Sequence, residues 1–282
     1  MESSRTPSRR GPVATGDATG APHASAIRAA EAALIVFAKA PIPGQVKTRL
    51  CPPLTPDEAA SLHGSFVLDT LERSRDAFKA ARLGVDRFLA CSPSHDHVFF
   101  KILAERHGVR LLDQVGEDLG ARMDQAFQTV FAQGYKRVVL TGSDLPSLPG
   151  SFFARALSLL AAHDLVLGPS FDGGYYLIGL TQPTPLLFSG IAWSTDQVLP
   201  LTRNKADSLG YKTALLPPWR DVDRIEDLLA LIDEMGLGHG ASGERRASRP
   251  SPPASSLSKR TEGALRLIAG RLAARQSSPK RA

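Results

Sequence analysis

Lys39, Gly44, Lys47 and Arg49 crowd into the dozen residues after an apolar run, with Pro41 and Pro43 stiffening the segment between them. Cations and free backbone N–H groups on a rigid loop are what a phosphate needs. Further along, Asp144 stands just past a second strongly apolar run, in Gly142-Ser143-Asp144. A carboxylate there is either a turn residue or a ligand for Mg²⁺ or Mn²⁺, since hard divalent ions take carboxylate and phosphate oxygens together. Asp221 and Asp223 could supply a second carboxylate, although before an apolar helical pattern they equally read as acids favouring a helix N-terminus. Asp172-Gly173-Gly174-Tyr175 has two glycines that let a ligand or another backbone come close, and it would also serve as a plain β-turn. Gly116–Arg122 pairs an acidic loop with Gly120 and Arg122 near a helix start and could line the same site.

Several chemistries are excluded. Gly44-Gln45-Val46-Lys47-Thr48 lacks the spacing of a Walker A loop, in which Lys directly follows the second glycine. The seven histidines show no metal spacing, and His63, His95 and His97 read as surface residues. No Ser–His–Asp or Cys–His arrangement can be argued. The two cysteines, Cys51 and Cys91, form neither a disulfide framework nor a metal motif and fit a reducing, cytoplasmic setting. No apolar run reaches the roughly 18 residues of a membrane span.

The formal net charge of +6 comes from the ends. From Leu237 onward ten Lys/Arg face two Asp/Glu, whereas residues 26–236 hold 21 Lys/Arg against 24 Asp/Glu. A slightly acidic central part removes most of the support for nucleic-acid binding that a basic pI would otherwise lend.

The elements that must position these residues alternate. Strands are expected at Leu34–Ala38, Val85–Cys91, Val109–Leu112, Arg137–Leu140, Leu165–Leu167, Tyr176–Leu180 and Thr213–Leu216. Helices are expected between them. The clearest starts at Thr55-Pro56-Asp57-Glu58, where Thr55 and Glu58 form a capping box and Pro56 occupies the first turn. Such alternation means a three-layer, Rossmann-like α/β fold: a mainly parallel sheet with helices on both faces. Most of the candidate residues follow a strand, and ligands of such sheets bind at the carboxyl ends of strands. Residues 1–30 are expected to be a disordered arm, and 237–282 a basic, mostly disordered tail with a short amphipathic helix at 261–275.

The motifs FAKAPIPGQVKTRL, GEDLGARM, GSDLP, GPSFDGGYYLIGL, WSTDQVL and DVDRIEDL, in this order, resemble a family of small bacterial glycosyltransferase-A-like proteins, some assigned to arsenosugar biosynthesis. The resemblance spans about Leu34 to Met235. It implies a nucleotide-diphosphosugar transferase fold over residues 31–236, Mg²⁺ or Mn²⁺, and a nucleotide-sugar or NTP with a small-molecule acceptor. The same fold serves molybdenum-cofactor and phospholactate guanylyltransferases and the CMP-sugar synthetases. These resemble the chain in the basic loop (Lys47, Arg49), the carboxylate after the central strand (Asp144) and the late acid (Asp223). By this resemblance Ala38, Lys39, Ala40, Gly44, Lys47, Arg49, Gly120, Arg122, Ser143 and Asp144 bind the nucleotide. Asp144 and Asp223 hold the metal, and Asp172, Gly173, Gly174, Tyr175 and Trp193 meet the acceptor. Lys47 and Arg49 would stabilise the departing charge, with Asp172 a candidate base. Glycosyltransferases of this fold usually carry Asp-x-Asp after the central strand, and Asp144 has no second Asp two residues away. The expected function is transfer from a nucleotide-sugar. Nucleotidyl transfer with pyrophosphate release and a non-catalytic nucleotide-binding module are the alternatives.

Overall fold

The structure is a computed structural model that describes residues 30–237 and 257–277. The expected N-terminal arm, apart from residue 30, and most of the expected tail lie outside the described residues. Among the described residues seven strands form one sheet: β1 (Ala32–Lys39), β2 (Val85–Ser92), β3 (Arg110–Asp113), β4 (Arg137–Gly142), β5 (Leu165–Pro169), β6 (Tyr175–Leu180) and β7 (Thr213–Leu215). Their spatial order is β3-β2-β1-β4-β6-β5-β7, and only β6 runs antiparallel to its neighbours. The reason lies in the turn between β5 and β6. The Asp172 carboxylate accepts from the Ser170 hydroxyl at 2.5 Å and from the Gly174 N–H at 3.0 Å, which reverses the chain within five residues.

The central strand β1 is buried on both sides, as its unbroken apolar run requires. Leu34, Val36 and Ala38 face α1 (Pro56–Ala80), α2 (Val98–His107) and α4 (Ser151–Leu159). Ala33, Ile35 and Phe37 face α3 (Leu119–Phe131), a short α5 (Pro185–Phe188) and α6 (Val198–Ser208). Helix α1 begins with the expected capping box: the Glu58 N–H donates to Thr55 Oγ1 at 3.2 Å, and the Thr55 N–H donates to Glu58 Oε2 at 2.7 Å.

A third, smaller apolar core lies outside the sheet. Leu50, Leu62, Phe66, Val222, Leu228 and Ile232 pack there with Leu265 and Ile268 of α8 (Lys259–Ser277), beside α7 (Ile225–Glu234). The short helix read at 261–275 is thus part of a longer one whose apolar face is covered by the chain's own α1 and α7. Arg260 bonds Asp69 and Glu72 of α1, the Thr261 hydroxyl donates to Asp69 Oδ2 at 2.7 Å, and Arg271 meets Glu58 at 2.6 and 2.8 Å. The division between folded domain and tail at 236/237 therefore does not separate α8 from the fold. Leu50 and Val222 anchor two segments in this one core, and those two segments carry Lys47 and Asp223.

Candidate functional site

The loop after β1 turns through Gly44, at φ 78°, and reaches Lys47 in the left-handed region at φ 50° and ψ 35°. A non-glycine residue there is strained, and the strain persists only where its surroundings over-determine it. The surroundings are three oxygens. Lys47 Nζ donates to the Val222 carbonyl at 2.7 Å and lies 2.9 Å from Asp144 Oδ2 and 3.1 Å from Asp223 Oδ1. Its side chain is only 3% exposed, while those of Asp144 and Asp223 are 35% and 45% exposed. The ammonium therefore lies beneath two carboxylates that remain open to solvent. Burial alone would lower its pKa, but the two acids outweigh that and raise it.

Each acid is held by a separate device. Asp144 follows β4, and its carbonyl accepts from the Val222 N–H at 2.9 Å, which ties the β4 loop to the segment before α7. Asp223 does not cap α7. That role falls to Asp227, whose carboxylate accepts from the N–H groups of Arg224 and Asp223 at 2.9 and 3.3 Å. Asp223 is left to face Lys47 and, through Oδ2, Arg49 Nη1 at 3.2 Å.

The reading of His63 as a surface residue is corrected by the structure. His63 is 4% exposed, on the inward face of α1. Its Nε2 lies 3.0 Å from the Lys39 carbonyl and its Nδ1 3.3 Å from Asp144 Oδ1, without hydrogen-bond alignment. Burial would raise the Asp144 carboxyl, yet Lys47 and His63 hold it well below the usual range. The usable signal was positional: His63 sits one residue from Leu62 in an amphipathic helix whose apolar face must meet the sheet. Gln114 was also missed. Its amide donates to the Ala38 and Ala90 carbonyls at 3.1 and 2.8 Å, joining the ends of β1 and β2 where Ala38 and Ala40 are buried.

The other candidates fall into a second group. Gly120 lies directly under Trp193, since a Cβ there would come 2.5 Å from the indole. Gly173, at φ 89°, is pressed as closely against the Asp196 backbone. The 116–122 and 170–174 segments thus each touch the 190–197 loop. Arg122 Nε donates to the Gly116 carbonyl at 3.0 Å and braces the first of them. Ser143 is buried beside Asp144, and Lys39 is exposed at the end of β1. Tyr175 packs instead into the α3–α6 side of the sheet. Asp172 adjoins Asp221, whose carboxyl is pushed up to about 6 by burial and then by Asp172 and Asp223.

Residues 77–195 match a family described as uncharacterised and conserved in bacteria, DUF2064. A solved protein from Desulfovibrio desulfuricans G20, provisionally named a nucleotide-diphospho-sugar transferase, is 35% identical. The similarity covers 84% of this chain and 98% of that one, with a TM-score of 0.67. The chain belongs to the nucleotide-diphospho-sugar transferase family. The 2-phospho-L-lactate guanylyltransferase of Methanothermobacter thermautotrophicus is 30% identical over 129 residues, 45% of this chain. That match spans 53% of the guanylyltransferase, about half its length. The fold is thus a nucleotide-diphospho-sugar transferase α/β fold, and among the described residues no helix is long and apolar enough to cross a membrane.

As a divalent-metal site the cluster has the right donors and a modest number of them. Among the described residues no three His, Cys, Asp or Glu side chains form a metal-binding group. Two carboxylates and the Val222 carbonyl nevertheless converge on the position of Lys47 Nζ. Mg²⁺ is commonly held in this way, by one or two carboxylates with waters and substrate phosphates completing the shell.

Proposed function

We propose that this protein is a nucleotidyltransferase that joins an NTP to a phosphorylated small-molecule acceptor, with Mg²⁺ or Mn²⁺ held by Asp144 and Asp223. The observation that carries the reading is the meeting of one carboxylate from the end of β4 with one from the segment before α7, around a lysine and an arginine of the β1 loop. Glycosyl transfer in this fold usually draws on an Asp-x-Asp pair after the central strand, and here the second acid comes from Asp223. Similarity to the phospholactate guanylyltransferase favours the same choice. Nucleotidyl transfer therefore goes ahead of sugar transfer.

In this reaction an acceptor phosphate oxygen attacks the α-phosphorus, the α–β bridging bond breaks, and pyrophosphate leaves. A bound divalent ion supplies positive charge to the phosphate oxygens. Lys47 and Arg49 provide preorganised cations for the charge that gathers on pyrophosphate. Gly44 and the β1 loop offer backbone N–H groups to the same phosphates. The loop at Asp172–Gly174 and the indole of Trp193 form the acceptor side.

The test is an incubation with Mg²⁺ or Mn²⁺, a panel of NTPs and small phosphorylated acids. Pyrophosphate release that needs both acceptor and metal is expected. Free NDP from an NDP-sugar, with no pyrophosphate from any NTP, would restore sugar transfer, the reading that the name of the Desulfovibrio protein favours. The narrower kinship with proteins assigned to arsenosugar biosynthesis belongs to that second reading.

A further inference from the structure

We propose that Lys47 is a built-in counter-ion that occupies the divalent-cation position of the site and gives it up when phosphates arrive. Ammonium and metal would then be alternative occupants of the oxygens of Asp144, Asp223 and Val222. The inference rests on the metal-dependent reading above and concerns the order in which that site is filled.

The geometry carries it. Three oxygens lie 2.7, 2.9 and 3.1 Å from Lys47 Nζ, the spacing of an ammonium with three acceptors. A magnesium ion would need such oxygens at about 2.0–2.1 Å. Nitrogen and metal cannot share that point. Nor is the contact a casual surface pair: the lysine is 3% exposed, and it reaches the acids from a strained left-handed backbone. Arg49, by contrast, meets Asp223 from the solvent side, with its side chain 59% exposed.

Departure of Lys47 alone would leave the two carboxylates with only Arg49 on Asp223 and His63 beside Asp144. Removing one partner from a buried charge cluster is strongly unfavourable. Departure is therefore coupled to the arrival of a cation of equal or greater charge. A flexible four-carbon stem lets the ammonium swing to a phosphate oxygen on the open side of the same acids. Phosphate would attract the lysine while the metal takes its place, so each ligand prepares the site for the other. A ligand that prefers a minor open state shifts the population by its differential affinity.

The experiment measures Mn²⁺ binding to the full chain by the loss of the free-ion EPR signal beyond that in a protein-free blank, with and without inorganic pyrophosphate. Wild type, Lys47→Met and Arg49→Met are compared. If the position is open in about a tenth of wild-type molecules, Lys47→Met binds Mn²⁺ alone about tenfold more tightly. Arg49→Met also removes a positive charge from Asp223 but vacates nothing, so less than about a threefold change is expected, as for an exposed pair. Pyrophosphate should tighten Mn²⁺ on the wild type by a larger factor than on Lys47→Met.

A second measurement uses the unmodified protein and is indifferent to how the variants fold. Acylation of Lys47 by an amine-reactive reagent, read by peptide mass spectrometry, should be slow in the absence of metal and rise with saturating Mg²⁺. Mn²⁺ binding that is equal in wild type and Lys47→Met, or Lys47 labelling that Mg²⁺ leaves unchanged while Mn²⁺ binds, overturns the exchange and leaves the metal-dependent reading standing. No Mn²⁺ binding in any sample, pyrophosphate included, overturns both.

Discussion

Two clusters of carboxylates meet cations beside helix α1, and they are built to opposite specifications. At the α8 clasp, Asp69 is 4% exposed and both its oxygens are engaged, Oδ1 by Arg260 and Oδ2 by Thr261. Glu58 is likewise covered by a two-pronged contact from Arg271. At the site, Asp144 and Asp223 are 35% and 45% exposed, and the buried His63 Nδ1 and Asp144 Oδ1 face each other at 3.3 Å with no hydrogen bond to either among the described residues. A saturated cluster is complete within the protein and stabilises it. An unsaturated one keeps donors and acceptors in reserve for something that is not protein.

Mutating the two clusters should give opposite results. Asp144→Asn is expected to lower turnover about 10²–10³-fold, the scale for losing one preorganised electrostatic contact. Because Asn keeps an oxygen toward the buried Lys47, and Asp223 and the Val222 carbonyl remain as acceptors, unfolding by urea should change by no more than about 2 kcal/mol. Full metal-dependent turnover in this variant would end the assignment of Asp144. Asp69→Ala should do the reverse. It leaves the fully buried Thr261 hydroxyl without its acceptor and Arg260 with Glu72 alone, and should destabilise the chain by about 3 kcal/mol, measured by urea titration, while steady-state turnover at low temperature stays near wild type. A large loss of turnover with unchanged stability would mean that the clasp is part of the site.

Gly120→Ala probes the region that belongs to neither cluster. The added methyl would meet the Trp193 indole at 2.5 Å, an overpacking worth about 1–3 kcal/mol. If Trp193 faces the ligand, the variant also loses most of the thermal shift that nucleotide gives the wild type. If the contact is structural only, the melting temperature falls and the shift remains.

The smallest expected effect is at Arg271→Ala, about 1 kcal/mol at pH 7 for a well-aligned pair near the surface. Burial would raise the Glu58 carboxyl, but the Thr55 and Arg271 hydrogen bonds outweigh it and lower it from an ordinary 4.5. A carboxyl depressed in the folded state adds stability that is complete above the unfolded value and fades as pH falls through the folded one. The gap between wild type and Arg271→Ala should therefore close on acidification below about pH 4.5. A gap that persists at low pH would mean that Arg271 acts by packing.

Much of this was legible in the chain because its signals are local. The capping box at Thr55 and Glu58 needs only residues three apart, and it formed as read. The apolar run of β1 and the turn chemistry of Asp172–Gly174 are equally short-range. Lys47, Arg49, Asp144 and Asp223 were readable as chemistry, since each stands in a loop after an apolar strand or before a helix. What could not be read was which of them touch. Asp221 and Asp223 look alike in sequence, yet Asp227 caps α7 and leaves Asp223 to face the lysine. His63 looked like a polar residue on a long helix until the sheet was placed against it. The apolar face of 261–275 showed amphipathicity but not the partner that covers it.

By itself, the sequence determined the alternation of strands and helices, the stiff cationic loop and the supply of acids, because periodicity, capping and turn propensity act within a few residues. Only the tertiary structure decided that Lys47 meets Asp223 across 176 positions of chain and that His63 turns inward. It alone brought α8 back to brace the core beneath both site loops. Those contacts depend on sheet order and on the third core, and no local pattern of residues encodes either.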